Sequence, residues 1–281
     1  MQLASFFIFD QVMNALEEDL NKSVDFTGNL IRASRTVMAG IRTNEEMVLC
    51  GKEFLNTAFL ACDKNAKILW HFKDGDVIQA RNVLCTVEGN ARGILTAERT
   101  ALNFVQTLSG TATVVKQFVD RVKSTKVKIM DTRKTIPGLR LAQKYAVAVG
   151  GGHNQRVGLY DGVLIKENHI MACGSVRNAL NDAFEMTPEG IPIQIEVETY
   201  DQLIEAIDTK AKLILLDNMS IADIEKCVQF NKGRAELEVS GNITLDNVLD
   251  YAETGVDRIS LGCLTKNLRA IDLSMRVINN I

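Results

Sequence analysis

Residues 192–242 read PIQIEVETYDQLIEAIDTKAKLILLDNMSIADIEKCVQFNKGRAELEVSGN. Three apolar stretches, PIQIEVET, AKLILLDN and AELEVSGN, alternate with two segments of helical periodicity, YDQLIEAIDTK and IADIEKCVQFN. Working outward, the rhythm continues in both directions. VKIMDT precedes a helical LRLAQKYAVAVG, GVLIKEN precedes SVRNALNDAFEM, and VDRISLGC follows TLDNVLDYAETG. Strand starts fall near residues 127, 162, 192, 212, 235 and 256, so the last three intervals are 20, 23 and 21 residues. Each interval holds one strand, one loop and one helix. Strands alternating with helices imply a parallel sheet. The strands are rich in isoleucine, valine and leucine, as burial on both faces requires.

Every one of these strands ends in a polar cluster. The ends are Asp131-Thr132-Arg133-Lys134, Lys166-Glu167-Asn168-His169, Glu196 with Glu198, Asp217-Asn218, Ser240-Gly241-Asn242, and Gly262 with Thr265-Lys266. Parallel α/β folds bind ligands at the carboxyl ends of their strands. Six polar ends in succession predict one mouth and a barrel of about six strands. An open doubly wound sheet is the alternative, with polar ends expected near a single switch point.

The first 25 residues carry Phe6, Phe9, Val12, Met13, Leu16 and Leu20 at helical spacing. From about Phe26 to Arg92 the pattern shortens to strands, AKILWHF, DVIQARNVLCTVE and ARGILTA, broken by turn signals at Asp74-Gly75 and Glu88-Gly89-Asn90. A long helix is expected over Ala97 to Lys123, with Gly110 as a point of interruption. The chain has 281 residues, a formal charge of −3, 46% hydrophobic and 24% charged residues. A pI near 5.8 argues against nucleic acid or an anionic membrane as the main partner. Six cysteines are scattered without zinc-like or CxxC spacing, which predicts reduced thiols and a cytoplasmic protein. The apolar run at the N-terminus lacks a basic leader, so no signal peptide is expected. No apolar run approaches the roughly 18 residues of a membrane span.

Arg133, Lys134, Arg156 and Lys166 surround Gly150-Gly151-Gly152, so cations stand beside permissive backbone. Lysines and arginines are ordinarily solvated surface charges. At strand ends and in a glycine-rich loop they indicate an anion site. Glu196 and Asp217 end neighbouring strands, where they are either salt-bridged acids or hard oxygen ligands for Mg²⁺. Ser240-Gly241-Asn242 and Leu261-Gly262-Cys263 are tight turns or a phosphate site. Thr244 is placed to cap the helix that follows it. His153 and His169 are candidates for acid–base roles, with structural roles the commoner case, and Cys263 is expected to be a small buried residue.

Several long motifs, in order, resemble quinolinate phosphoribosyltransferase, also called nicotinate-nucleotide pyrophosphorylase (carboxylating). They are ILTAERTALNFVQTLSGTAT, DTRKTIPGLRLAQKYAV, GGGHNQRVGLYDGVLIKENH, IEVET, LLDN, EVSGN and SLGCLTKNLRAIDLSM. The resemblance runs from about Asn14 onward. It implies transfer of phosphoribosyl from phosphoribosyl pyrophosphate to quinolinate, with decarboxylation, giving nicotinate mononucleotide, pyrophosphate and CO₂ in NAD biosynthesis. It also implies Mg²⁺, a cytoplasmic homodimer, and a type II phosphoribosyltransferase-like fold. In that fold an N-terminal α/β sandwich, residues 1–110, precedes an α/β barrel, residues 111–267, and residues 268–281 pack back on the sandwich.

Residue by residue, the resemblance implies that Arg99 reaches the quinolinate of the partner subunit, while Arg133, Arg156 and Lys166 hold its carboxylates. Lys134 would lie near the pyrophosphate or the reacting centre, and Glu196 and Asp217 would serve Mg²⁺ and the ribose hydroxyls. Ser240, Gly241, Asn242 and Gly262 would hold the 5′-phosphate, with Lys266 nearby. Two departures stand out. The usual GGGxNHR is here GGGHNQR, so Gln155 replaces a histidine, and EEDLNKSVDFT is a loose form of the N-terminal acidic motif. A glutamine still donates a hydrogen bond to a carboxylate but carries no charge. The rival readings are a paralogue of the molybdate-operon type, a sugar-phosphate lyase using Lys166 as a Schiff-base amine, and a non-catalytic ligand-binding relative.

Overall fold

Helix α1 (Ser5–Leu20) buries Ile8, Val12 and Leu16 on one stripe and stops where Asn21 turns left-handed at φ 44°. This computed structural model describes residues 2–280. After α1 come β1 (Thr36–Thr43), β2 (Met47–Val48), α2 (Lys52–Cys62), β3 (Lys67–Trp70), β4 (Val77–Ile78), β5 (Val83–Asn90) and α3 (Ala91–Arg121). ARGILTA, expected as a strand, is instead the first turns of α3. Ala91, Ile94, Ala97, Ala101, Leu102, Val105 and Leu108 are buried at helical spacing, so the period decides against the β-propensity of a short apolar run. DVIQARNVLCTVE divides into β4 and β5, with Arg81 at positive φ between them.

Gly110 does not interrupt α3, which runs through it. Its missing side chain serves packing, because a Cβ there would lie 2.2 Å from the Arg269 carbonyl oxygen.

The chain goes on with β6 (Lys128–Met130), α4 (Arg140–Val149), β7 (Val163–Ile165), α5 (Glu167–Cys173), α6 (Val176–Met186) and β8 (Ile193–Val197). Then follow α7 (Tyr200–Asp208), β9 (Leu213–Asp217), α8 (Ile221–Asn231), β10 (Glu236–Ser240), α9 (Val248–Glu253), β11 (Arg258–Ser260), α10 (Cys263–Lys266) and β12 (Leu273–Asn280). Serine and threonine caps start several of the helices. Ser175, Thr199 and Ser220 accept from Asn178, Gln202 and Asp223 in the manner of N-caps. Thr244 does not cap α9, which begins later at Val248, after Asn247.

Two compact units result, one of residues 1–114, 141–150 and 268–281, the other of 115–140 and 151–267. In the first, β12, β1, β5 and β3 form an antiparallel sheet in that order, and β2 pairs β4. The body of α4 groups with this unit, although the sequence placed it with the barrel helices. Tyr145 donates to Asp74 at 2.8 Å, which explains the grouping.

In the second unit all six strands are parallel, in the order β6-β11-β10-β9-β8-β7. The first and last of these strands in the chain, β6 and β11, are paired, and every other neighbour is successive in sequence. That is the strand order of a six-stranded barrel, with β6 and β7 as the two strands at its one unpaired seam. On the β6 side of the seam, His153 makes an isolated parallel bridge to Met130, with its N–H on the Ile129 carbonyl at 2.8 Å and its carbonyl accepting from Asp131 N at 3.0 Å.

Candidate active site

The carboxyl ends of the six parallel strands surround a cavity of about 1030 Å³ within the second unit. Arg133, Lys134, Gln155, Arg156, Lys166, Glu196, Asp217, Ser240, Gly241, Asn242, Gly262 and Lys266 all line it. Arg99 does not, lying exposed on α3 in the first unit.

The loop after β6 is fixed at several points. Lys134 N donates to Thr132 Oγ1 at 3.0 Å, and the Lys134 carbonyl accepts from Thr265 Oγ1 at 2.7 Å. Arg140 reaches the carbonyls of Arg133 and Val157 at 3.4 and 3.1 Å. Arg133 lines the cavity and keeps a buried Nε with no hydrogen-bond partner. Arg156 donates to the Gly162 carbonyl at 2.9 Å. Burial, and then the charge of Arg133, hold the Arg156 pKa below its usual value. Two guanidiniums that destabilise one another are relieved by an anion between them.

The buried carboxylate of Asp131 holds the segment that crosses the seam. It accepts from Gln155 N at 2.8 Å and from Asn154 Nδ2 at 2.7 Å. Opposite, Lys166 Nζ lies 3.3 Å from Glu196 Oε2. Burial raises the Glu196 pKa, Lys166 opposes that rise, and Asp217 adds to it. Asp217 accepts from Ser240 Oγ at 2.6 Å and from Asn218 Nδ2 at 3.0 Å. Next to these acids the backbone turns left-handed at Asn218, Gly241 and Asn242. A Cβ on Gly241 would meet Asn218 Oδ1 at 2.1 Å, so only glycine suits that turn.

Both histidine candidates have structural partners. His153 bridges to Met130 at the seam, while His169 Nδ1 accepts from Lys166 N at 3.0 Å at the start of α5. Cys263 is half-buried on the cavity wall rather than fully buried, and burial pushes its thiol up, away from the reactive thiolate. Sequence reading missed Glu238 and Ser260, which also line the cavity. The available signal was period two along β10, which puts Glu238 on the same face as Ser240. Among the described residues no group of three or more His, Cys, Asp or Glu side chains is placed to hold a metal.

The family model for Quinolinate phosphoribosyl transferase, C-terminal domain, matches residues 111–276, and that for its N-terminal domain matches residues 25–109. The chain belongs to the quinolinate phosphoribosyltransferase family. Among curated members of the family it is similar to nicotinate-nucleotide pyrophosphorylase [carboxylating] of Mycobacterium leprae (strain TN). The two are 42% identical over 275 residues, covering 95% of each chain. It is 39% identical over 253 residues, 90% of this chain and 88% of the other, to a probable nicotinate-nucleotide pyrophosphorylase [carboxylating] of Bacillus subtilis (strain 168). The solved structure of the nicotinate-nucleotide pyrophosphorylase from Francisella tularensis superposes with a TM-score of 0.95 at 44% identity, covering 98% of both chains. In quinolinate phosphoribosyltransferase terms, the cavity residues named above fall in the motifs that carried the resemblance, most of them at strand ends and Gln155 and Arg156 in the loop after α4.

Proposed function

We propose that this protein transfers phosphoribosyl from phosphoribosyl pyrophosphate to quinolinate and decarboxylates the adduct to nicotinate mononucleotide, within NAD biosynthesis. One observation carries the reading. The cavity gathers three cations, Arg133, Arg156 and Lys166, together with acids and left-handed turns, Glu196, Asp217 and Ser240 to Asn242. The first suits a dicarboxylate, the second a sugar phosphate.

Arg133 and Arg156 supply planar forks for the two carboxylates and fix the ring, which orients its nitrogen toward the ribose C1. Ser240, the Gly241–Asn242 turn, Gly262 and Lys266 receive the 5′-phosphate. As the bond from C1 to the pyrophosphate oxygen breaks, negative charge grows on the leaving group, and Lys134 on the cavity wall is the cation assigned to it. Glu196 and Asp217 suit Mg²⁺, because Asp217 raises the cost of ionising Glu196 and the ion usually takes one or two carboxylates plus substrate phosphates. Bound there, Mg²⁺ supplies positive charge to the pyrophosphate oxygens. The ring nitrogen becomes cationic on joining the ribose, which draws the electrons released when the adjacent carboxylate leaves as CO₂. No protein nucleophile takes part. Lys166 is held as the ion-pair partner of Glu196, which speaks against the Schiff-base reading.

The active species we propose is a cytoplasmic homodimer in which Arg99 serves the partner's site. No described helix is long and apolar enough to cross a membrane. The test is turnover of quinolinate by the purified protein. CO₂ and pyrophosphate are expected in equal amounts, with activity abolished by a chelator and restored by Mg²⁺. No turnover at saturating substrates sinks the reading.

A further inference from the structure

The reaction leaves one proton without a source. When CO₂ departs, its bonding electron pair stays on ring carbon C2, and that pair must take a proton before product leaves. The donor has to lie on the cavity wall and hold its proton at neutral pH.

Glu196 is tied to the Lys166 ammonium, whose charge opposes the rise that burial causes, and Asp217 accepts two hydrogen bonds from Ser240 and Asn218. Glu238 stands apart from both. It sits in the middle of β10, one inward position below Ser240, and lines the cavity while only 1% exposed. Neither the Lys166–Glu196 nor the Arg258–Glu236 pair includes it, and among the described residues no cation lies within 4.0 Å of its carboxyl. Its oxygens meet neutral groups. Gln155 Nε2 donates to one oxygen, Gln194 Nε2 donates to the other at 3.0 Å, and the Ser260 hydroxyl is also bonded to the carboxyl.

The charged groups on surrounding elements are Arg258 on β11, Asp217 on β9, Glu196 on β8, Lys166 after β7, and Asp131, Arg133 and Lys134 after β6, with Arg156 also on the cavity wall. Of the cations, Arg258 is the one whose charge lowers the Glu238 pKa, and both oxygens of Glu236 already engage it. Burial therefore outweighs the neighbours, and the Glu238 carboxyl is pushed up from the usual range.

We propose that Glu238 is the acid that protonates C2, an assignment that rests on the functional reading above. The C2–carboxylate bond breaks, CO₂ leaves, the electron pair remains on C2, and the Glu238 O–H gives it a proton. The resulting Glu238 carboxylate is received by the amides of Gln155 and Gln194 and by Ser260, and solvent reprotonates it after product release. This also gives Gln155 a role. A histidine at that position would set a second titrating group against the acid, whereas a carboxamide supports the anion without competing for the proton.

Glu238→Gln keeps the shape and removes the proton. The kcat for nicotinate mononucleotide is expected to fall by about 10²–10⁴-fold, the usual worth of a general acid, with the quinolinate KM within about threefold of the original. In the first turnover, pyrophosphate release is expected to persist while nucleotide formation slows by the same factor as kcat. Full kcat in the variant overturns the assignment, as does equal slowing of pyrophosphate and nucleotide. If the variant does not fold, the unaltered protein decides. It must show a descending alkaline limb in kcat and a solvent deuterium isotope effect on kcat, and the absence of either overturns the assignment. No turnover by the unaltered protein overturns the functional reading and this assignment with it, whereas turnover with an unimpaired Glu238→Gln variant overturns this assignment alone.

Discussion

Arg133 carries a buried Nε that no protein acceptor satisfies. A hydrogen bond to a charged partner contributes about 1.5–3 kcal/mol. Arg133→Ala is therefore expected to raise the quinolinate KM by about 10- to 150-fold with little change in protein stability, as steady-state kinetics and thermal unfolding would show. Glu196 makes a different prediction, for stability against pH. Its folded-state pKa is raised above the ordinary value of 4.5, so in the window above that value the native state holds a proton that the unfolded chain has lost. The unfolded chain binds fewer protons there, and stability falls as pH rises through the window. Glu196→Gln removes that slope. Without substrates, the variant's thermal midpoint is expected to gain on the unaltered protein as the pH rises above 4.5. A parallel pH dependence in the two proteins would contradict this. The residues that showed themselves in the sequence were those at strand ends, where a charge after an apolar run is conspicuous. Glu238 lies inside a strand, between Leu237 and Val239, and only a two-residue period marks it as facing the cavity.

At the scale of elements, the barrel strands were legible because burial on both faces leaves continuous apolar runs. The start of α3 was not, since a seven-residue apolar run fits either period and only its continuation into the helix decides. Nor was the seam. Hydrophobic pattern carries no information on which edges of a parallel sheet meet, so neither the β6–β11 pairing nor the His153 bridge could be read from it. Two substitutions test these elements. Asp131→Ala removes the acceptor that Gln155 N and Asn154 Nδ2 share and is expected to cost about 2–6 kcal/mol in urea unfolding, from about 1–3 for each hydrogen bond lost. Gly110→Ala improves helix propensity by about 1 kcal/mol. It also forces a methyl group against the Arg269 carbonyl, where overpacking costs about 1–3 kcal/mol. Net destabilisation is expected, and a stabilised variant would show that the chain around Arg269 yields freely.

At the scale of the whole molecule, the proposed dimer with Arg99 serving its neighbour makes a complementation prediction. Arg99→Ala and Lys166→Ala proteins, each inactive alone, are expected to regain about a quarter of full activity when unfolded and refolded together in equal amounts. Half of the dimers are then mixed, and each mixed dimer has one intact site of two. No recovery would place Arg99 at its own subunit's site or at none. The pairing of β6 with β11 has a further consequence, for how the protein is made. Lys128 aligns with Arg258 and, in the other unit, Val37 aligns with Asn280. On the ribosome, the open edges of β6 and of β1 must therefore wait until translation has passed residues 258 and 280 respectively. For most of its synthesis the nascent chain carries unpaired strand edges, and a ribosome stalled short of residue 258 would hold two incomplete sheets open to chaperones or to neighbouring chains.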